Sequence, residues 1–123
     1  MPVLSPAPTM DPFPGTRFTP LAAPSRGSVR TSVWRIEIEP GTPGRPHQLT
    51  EEEIFVVLDG EATVTLAGEV SRATAGDAIV VPPLTDFALG NGGAAALRLL
   101  CVFPVGGQAR TPDGQVFTPP WAE

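Results

Sequence analysis

Lysine and tyrosine are absent from these 123 residues, and histidine and cysteine occur once each, as His47 and Cys101. Without lysine there is no Schiff base and no P-loop phosphate clamp, and without tyrosine no phenolic acid. A lone cysteine closes no internal disulfide, and one His with one Cys cannot complete a structural zinc site, so a reducing compartment is compatible with the chain. Positive charge is also scarce. Eight arginines against 13 acidic residues leave a net charge of −5, with no basic cluster to hold a phosphate backbone, which argues against a nucleic-acid partner. The start, MPVLSPAPTMDPFPG, lacks the basic region and unbroken apolar core of a secretion signal. No later stretch approaches the roughly 20 apolar residues that span a bilayer, so the expectation is a soluble, cytoplasmic protein with no membrane partner.

What is abundant is Pro and Gly, 16 and 13 residues, which disfavour long helices because Pro removes a backbone donor and Gly costs entropy in a helix interior. The expectation is one all-β domain. Residues 1–15 read as a Pro-rich N-terminal arm outside the core, and residues 16–123 as the β unit, with a Pro/Gly-rich tail from about residue 104. Arg17 to Ala22 suits a short edge strand. Ser32 to Glu39 alternates, with Trp34, Ile36 and Ile38 on one face and Val33, Arg35 and Glu37 on the other. Leu97, Leu99, Cys101 and Phe103 share a face of the longest apolar strand. Short strands with closely spaced turn signals predict a sandwich or barrel.

The chain is organised around Gly41 to Gly60. This stretch holds His47, the acidic run Glu51, Glu52 and Glu53, and then the apolar run Ile54 to Leu58. A polar turn feeding a short strand is where a β-scaffold presents chemistry. Asp59-Gly60 predicts a tight hairpin joining Ile54–Leu58 to Ala62–Leu66, since both residues tolerate positive φ. Further turns are expected at Ala67-Gly68 and Gly76-Asp77. Glu51 and Glu52 read as solvated surface charge. Arg35, Arg45 and Arg98 could neutralise an anionic ligand near a barrel mouth, but read as solubilising charge. Phe117 and Trp121 in the tail are expected to cover one end of the barrel or a partner subunit, with a mobile lid as the alternative.

With strands and turns placed, the sequence resembles the cupins, small jelly-roll β-barrels. Gly41, His47, Glu53 and Gly60 fall at the spacings of that family's first motif, and Gly76, Pro82 and Asn91 at those of its second. Leu49 stands at the first motif's second histidine, Leu84 at the second motif's glycine and Phe87 at its histidine. The resemblance implies a single-domain jelly-roll barrel. It also implies a divalent-metal site, commonly held by three histidines and the glutamate, of which His47 and Glu53 remain as metal ligands. An inward-facing Cys101 would be a third donor, while Gln48 and Asp86 point away by period two.

What remains is an apolar interior, lined by Leu49, Phe55, Val57 and Phe87 with Trp34 and Cys101, in which His47 and Glu53 are the polar pair. A pocket of this kind suits a small-molecule ligand. Three functions are consistent with it: a metal-independent isomerase, cyclase or lyase in which His47 and Glu53 move a proton, a non-catalytic binding or sensing domain, and a metal-dependent oxygenase with an unusual ligand set. Whether there is turnover stays open. The strand Ile54–Leu58 is apolar on both faces, which predicts a covered outer side and a homodimer.

Overall fold

The computed structural model describes residues 3–123; the first two residues of the expected arm lie outside the described residues. The strands in chain order are β1 (Met10–Phe13), β2 (Thr16–Ala22), β3 (Thr31–Ile38), β4 (Gln48–Leu49), β5 (Glu53–Asp59), β6 (Glu61–Leu66), β7 (Glu69–Thr74), β8 (Ala78–Val81), β9 (Phe87–Gly90), β10 (Leu97–Pro104), β11 (Ala109–Arg110) and β12 (Val116–Phe117). The alternation in β3 is realised, with Trp34, Ile36 and Ile38 buried. Its neighbour β10 buries Leu97, Leu99, Cys101 and Phe103 on the same inner side.

Six strands form one antiparallel sheet in the order β1-β2-β3-β10-β5-β8. The facing layer is in two pieces, β7-β6-β9 and β12-β11-β4, linked by a backbone bridge between His47 and Phe87. The architecture is the expected all-β jelly roll, but the expected closed barrel is not formed. Hydrogen bonding does not run continuously around the interior, because the second layer breaks up where the chain enters and leaves its loops.

The Asp59-Gly60 hairpin is also corrected. β5 pairs with β10 and β8, whereas β6 pairs with β7 and β9, so these two residues carry the chain from one sheet to the other. A Cβ on Gly60 would sit 2.5 Å from the Ala96 carbonyl oxygen, and its φ is +85°, so glycine serves a crowded corner here. The two-residue hairpin lies one strand later. Ala67 and Gly68 have φ of +50° and +82°, and Leu66 pairs with Glu69, as in a type I′ turn.

The segment Arg17–Ala22 is a strand but not an edge. β1, from within the Pro-rich arm, takes the edge, where Pro12 needs no ladder partner. Pro20 is accommodated by a bulge between Pro20 and Ala22. The outer face of β5 leaves Ile54 and Val56 half-buried and Leu58 about half exposed in the single chain. Among the described residues no helix is long and apolar enough to cross a membrane.

Candidate functional site

Between the layers lies a cavity of about 560 Å³, whose only ionisable lining residues, among the described residues, are Arg45, His47 and Glu53. Its walls are aromatic. The chain has six Phe and two Trp, and all of them except Phe103 line this one space. Trp34 and Phe55 come from the larger sheet, where Cys101 pairs with both in neighbouring strands. Phe87 comes from the facing layer.

His47 is set by its backbone. Its N–H donates to the Phe87 carbonyl at 2.9 Å, and the Phe87 N–H returns to the His47 carbonyl at 3.0 Å. The two side chains therefore sit together, ring centroids 4.5 Å apart. The imidazole Nδ1 lies 2.7 Å from the Arg45 carbonyl, which can only accept, so Nδ1 carries the proton and Nε2 the lone pair. Burial pushes this histidine below its usual pKa, partly opposed by that hydrogen bond, and keeps the ring neutral at neutral pH.

Glu53 opens β5 with its side chain inward and is 3 % exposed. Its carboxyl has no hydrogen-bond partner among the described residues, and burial alone raises its pKa well above the carboxylate range. The sequence places His47 and Glu53 in one interior, and they do front the same cavity, but no hydrogen bond joins them. Of the other residues read as pocket, Leu49, Phe55, Phe87 and Trp34 line the cavity, while Val57 and Cys101 are buried in the core beside it. Burial, and secondarily the nearby Glu53, hold the Cys101 thiol well above its ordinary pKa. The Trp34 indole N–H is the one sealed side-chain polar atom without a partner among the described residues, packed edge-on at Phe103.

Sequence reasoning missed Phe13 and Phe18. Phe13 meets Phe18 and Trp121 edge-to-face at 6.3 and 6.2 Å, and Trp121 stacks on Phe18 at 3.7 Å. The available signal for Phe13 was a lone aromatic in a Pro-rich arm. The tail contributes as expected of a cover: Trp121 is buried, and Phe117 lies partly exposed at the cavity. Gln48 bonds Asp86 at 2.7 Å on the surface, away from the interior, and Glu51 and Glu52 are exposed. A smaller depression of about 290 Å³ over Gly41–Gly44 and the outer face of β6 has, among the described residues, no ionisable lining residue.

Residues 34–103, which carry most of these elements, match a family model described as Cupin domain. The chain belongs to the cupin family. Among solved structures this cupin is similar to the polyketide cyclase RemF from Streptomyces resistomycificus, with 25 % identity, a TM-score of 0.68, and 74 % of this chain and 66 % of that one covered. It is similar in fold to an RmlC-like cupin from Shewanella frigidimarina, with 23 % identity, a TM-score of 0.67, and 79 % and 82 % covered. An uncharacterized protein of Methanocaldococcus jannaschii is 38 % identical over 52 residues, 42 % of each chain, so this cupin spans about two fifths of that relative's length.

The divalent metal implied by the cupin resemblance does not fit these residues. Leu49 and Phe87 have no lone pair to offer, and among the described residues no three His, Cys, Asp or Glu side chains come together closely enough to hold an ion. The Phe87 ring instead fills the space beside His47. Cys101 faces the interior but forms no such group with His47 and Glu53.

Proposed function

We propose that this cupin binds an aromatic small molecule between its sheets and catalyses a non-redox proton transfer on it, of the kind that drives an isomerisation, cyclisation or elimination. The observation that carries the reading is a pair of titratable groups on one aromatic-walled cavity: His47 with a free Nε2 lone pair, and Glu53 with a carboxyl whose pKa burial raises well above the carboxylate range. His47 Nε2 takes a proton from a C–H beside a carbonyl, and the Glu53 O–H donates to the oxygen on which negative charge develops. The low-dielectric walls strengthen that second interaction. The structural neighbour named as a polyketide cyclase supports catalysis over bare binding.

Solvent deuterium exchange into 2-tetralone, an aryl-fused ketone with acidic C–H bonds, tests this by NMR. Protein should accelerate exchange, and His47→Ala should lower the protein-dependent rate about 100-fold or more while ligand binding persists. Bound ketone exchanging no faster than in buffer would leave the non-catalytic binding domain as the better reading.

A further inference from the structure

Arg45 differs from the other arginines in lining the cavity; Arg26, Arg30, Arg35 and Arg110 also have no carboxylate partner among the described residues, but none of them borders that space. Arg17 is paired with Glu37 and Glu39, Arg72 with Glu61, and Arg98 with Glu37 and Asp59, all in ion pairs that leave the cavity free. Arg45 lines the cavity, and among the described residues no carboxylate pairs with it. Its guanidinium lies 4.2 Å from the centroid of the Phe13 ring, so it is held at the mouth by a ring that is itself a cavity wall. Its backbone carbonyl meanwhile accepts from His47 Nδ1. The turn from Arg45 to His47 thus carries a cation at the entrance and a proton acceptor within, fixed to each other.

We propose that the cavity selects aromatic ligands bearing one anionic oxygen group, which Arg45 receives at the mouth. This rests on the small-molecule reading above and names its ligand class. Aromatic walls are sequence-tolerant and non-directional; a bound ring needs a few placed polar groups to fix its orientation. A guanidinium is suited to that task, because its planar donors match a carboxylate in a paired geometry that an ammonium lacks. In a chain of net charge −5, an unpaired cation lining the cavity also supplies the local field that admits an anion. Anchoring the anionic end at Arg45 sets the ring against the aromatic walls with the neighbouring carbons toward His47.

Titration calorimetry with 2-naphthoate and 2-naphthamide, which share a ring system and differ in charge, tests the assignment. The expected result is tighter binding of the acid by roughly five- to tenfold, as for a partly solvated charge-assisted pair. That preference should fall to about one in Arg45→Met, which keeps a long apolar stem over Phe13, and survive in part in Arg45→Lys. Equal binding of acid and amide to the unaltered protein, or a preference untouched by Arg45→Met, would overturn the anionic class while leaving the cavity reading in place. Failure of both probes to bind would overturn the cavity reading and this inference with it.

Discussion

Replacing Glu53 by Gln removes one ionisable proton from the interior while keeping the side chain's size and shape. Glu53 has its pKa raised by burial, with no hydrogen bond or cation to compensate its charge. Above the ordinary carboxylate pKa near 4.5, the unfolded chain releases this proton and the native chain keeps it, so the native state binds more protons. Stability then falls as pH rises, by about 1.4 kcal/mol per pH unit, from that ordinary value until the folded group ionises. His47 acts in the opposite sense. Its lowered pKa makes the native state bind fewer protons below about 6.5, so its contribution to stability is lost as pH falls through that window. The two slopes partly cancel in the native protein, and the informative quantity is the difference between it and Glu53→Gln. Urea denaturation midpoints measured from pH 4 to 8 should show the two proteins close at the acid end. The variant should gain on the native protein as pH rises above the carboxylate range, with a slope of at most about 1.4 kcal/mol per unit that levels off once Glu53 ionises in the folded protein. Parallel curves would mean that Glu53 is solvated or satisfied in solution, and the acid role assigned to it would go.

Two further outcomes follow from the family positions that this chain has changed. Leu84 stands at the second motif's glycine yet keeps φ at +55°, a left-handed backbone, and is 58 % exposed, so Leu84→Gly relieves strain and loses little burial. A gain of about 0.5–1 kcal/mol in urea denaturation is expected after the entropy cost of glycine is subtracted, and a loss would refute the strain argument. Restoring imidazoles at both hydrocarbon positions, Leu49→His with Phe87→His, should create a four-ligand set with His47 and Glu53. Elemental analysis after dialysis should then find about one divalent ion per folded chain, and a folded double variant that retains none would show that the side chains do not converge.

Most of the layering was legible in the sequence because burial writes a period of two: residues 32–39 and 97–103 alternate without exception on their inner face. Asp59-Gly60 misled because a pair that tolerates positive φ marks a bend and does not say whether the strands on either side pair with each other or part into two sheets. The deciding contact, the Ala96 carbonyl against Gly60, comes from a distant segment. The pairing of Phe13 with Trp121 was hidden for the same reason, since the two lie at opposite ends of the chain and neither sits in a periodic run. At the site, the motif spacing placed His47 and Glu53 in one interior. It could not show that the imidazole turns its Nδ1–H to the Arg45 carbonyl, because that depends on the local course of the turn.

The hydrocarbon at positions 49 and 87 does more than delete two ligands. A cation in this interior would favour the ionised carboxylate and hold both groups toward it. Leu49 and Phe87 are almost fully buried, and with the other walls they desolvate whatever they enclose. Burial disfavours the charged form of either group, so it raises Glu53 and lowers His47 together. Both shifts favour the uncharged forms of two groups that front one cavity, which is the condition that the proposed proton transfer requires. On the proposed reading, the missing ligands and the acid–base pair have one physical cause, and the double histidine variant should gain the metal and lose the proton transfer together.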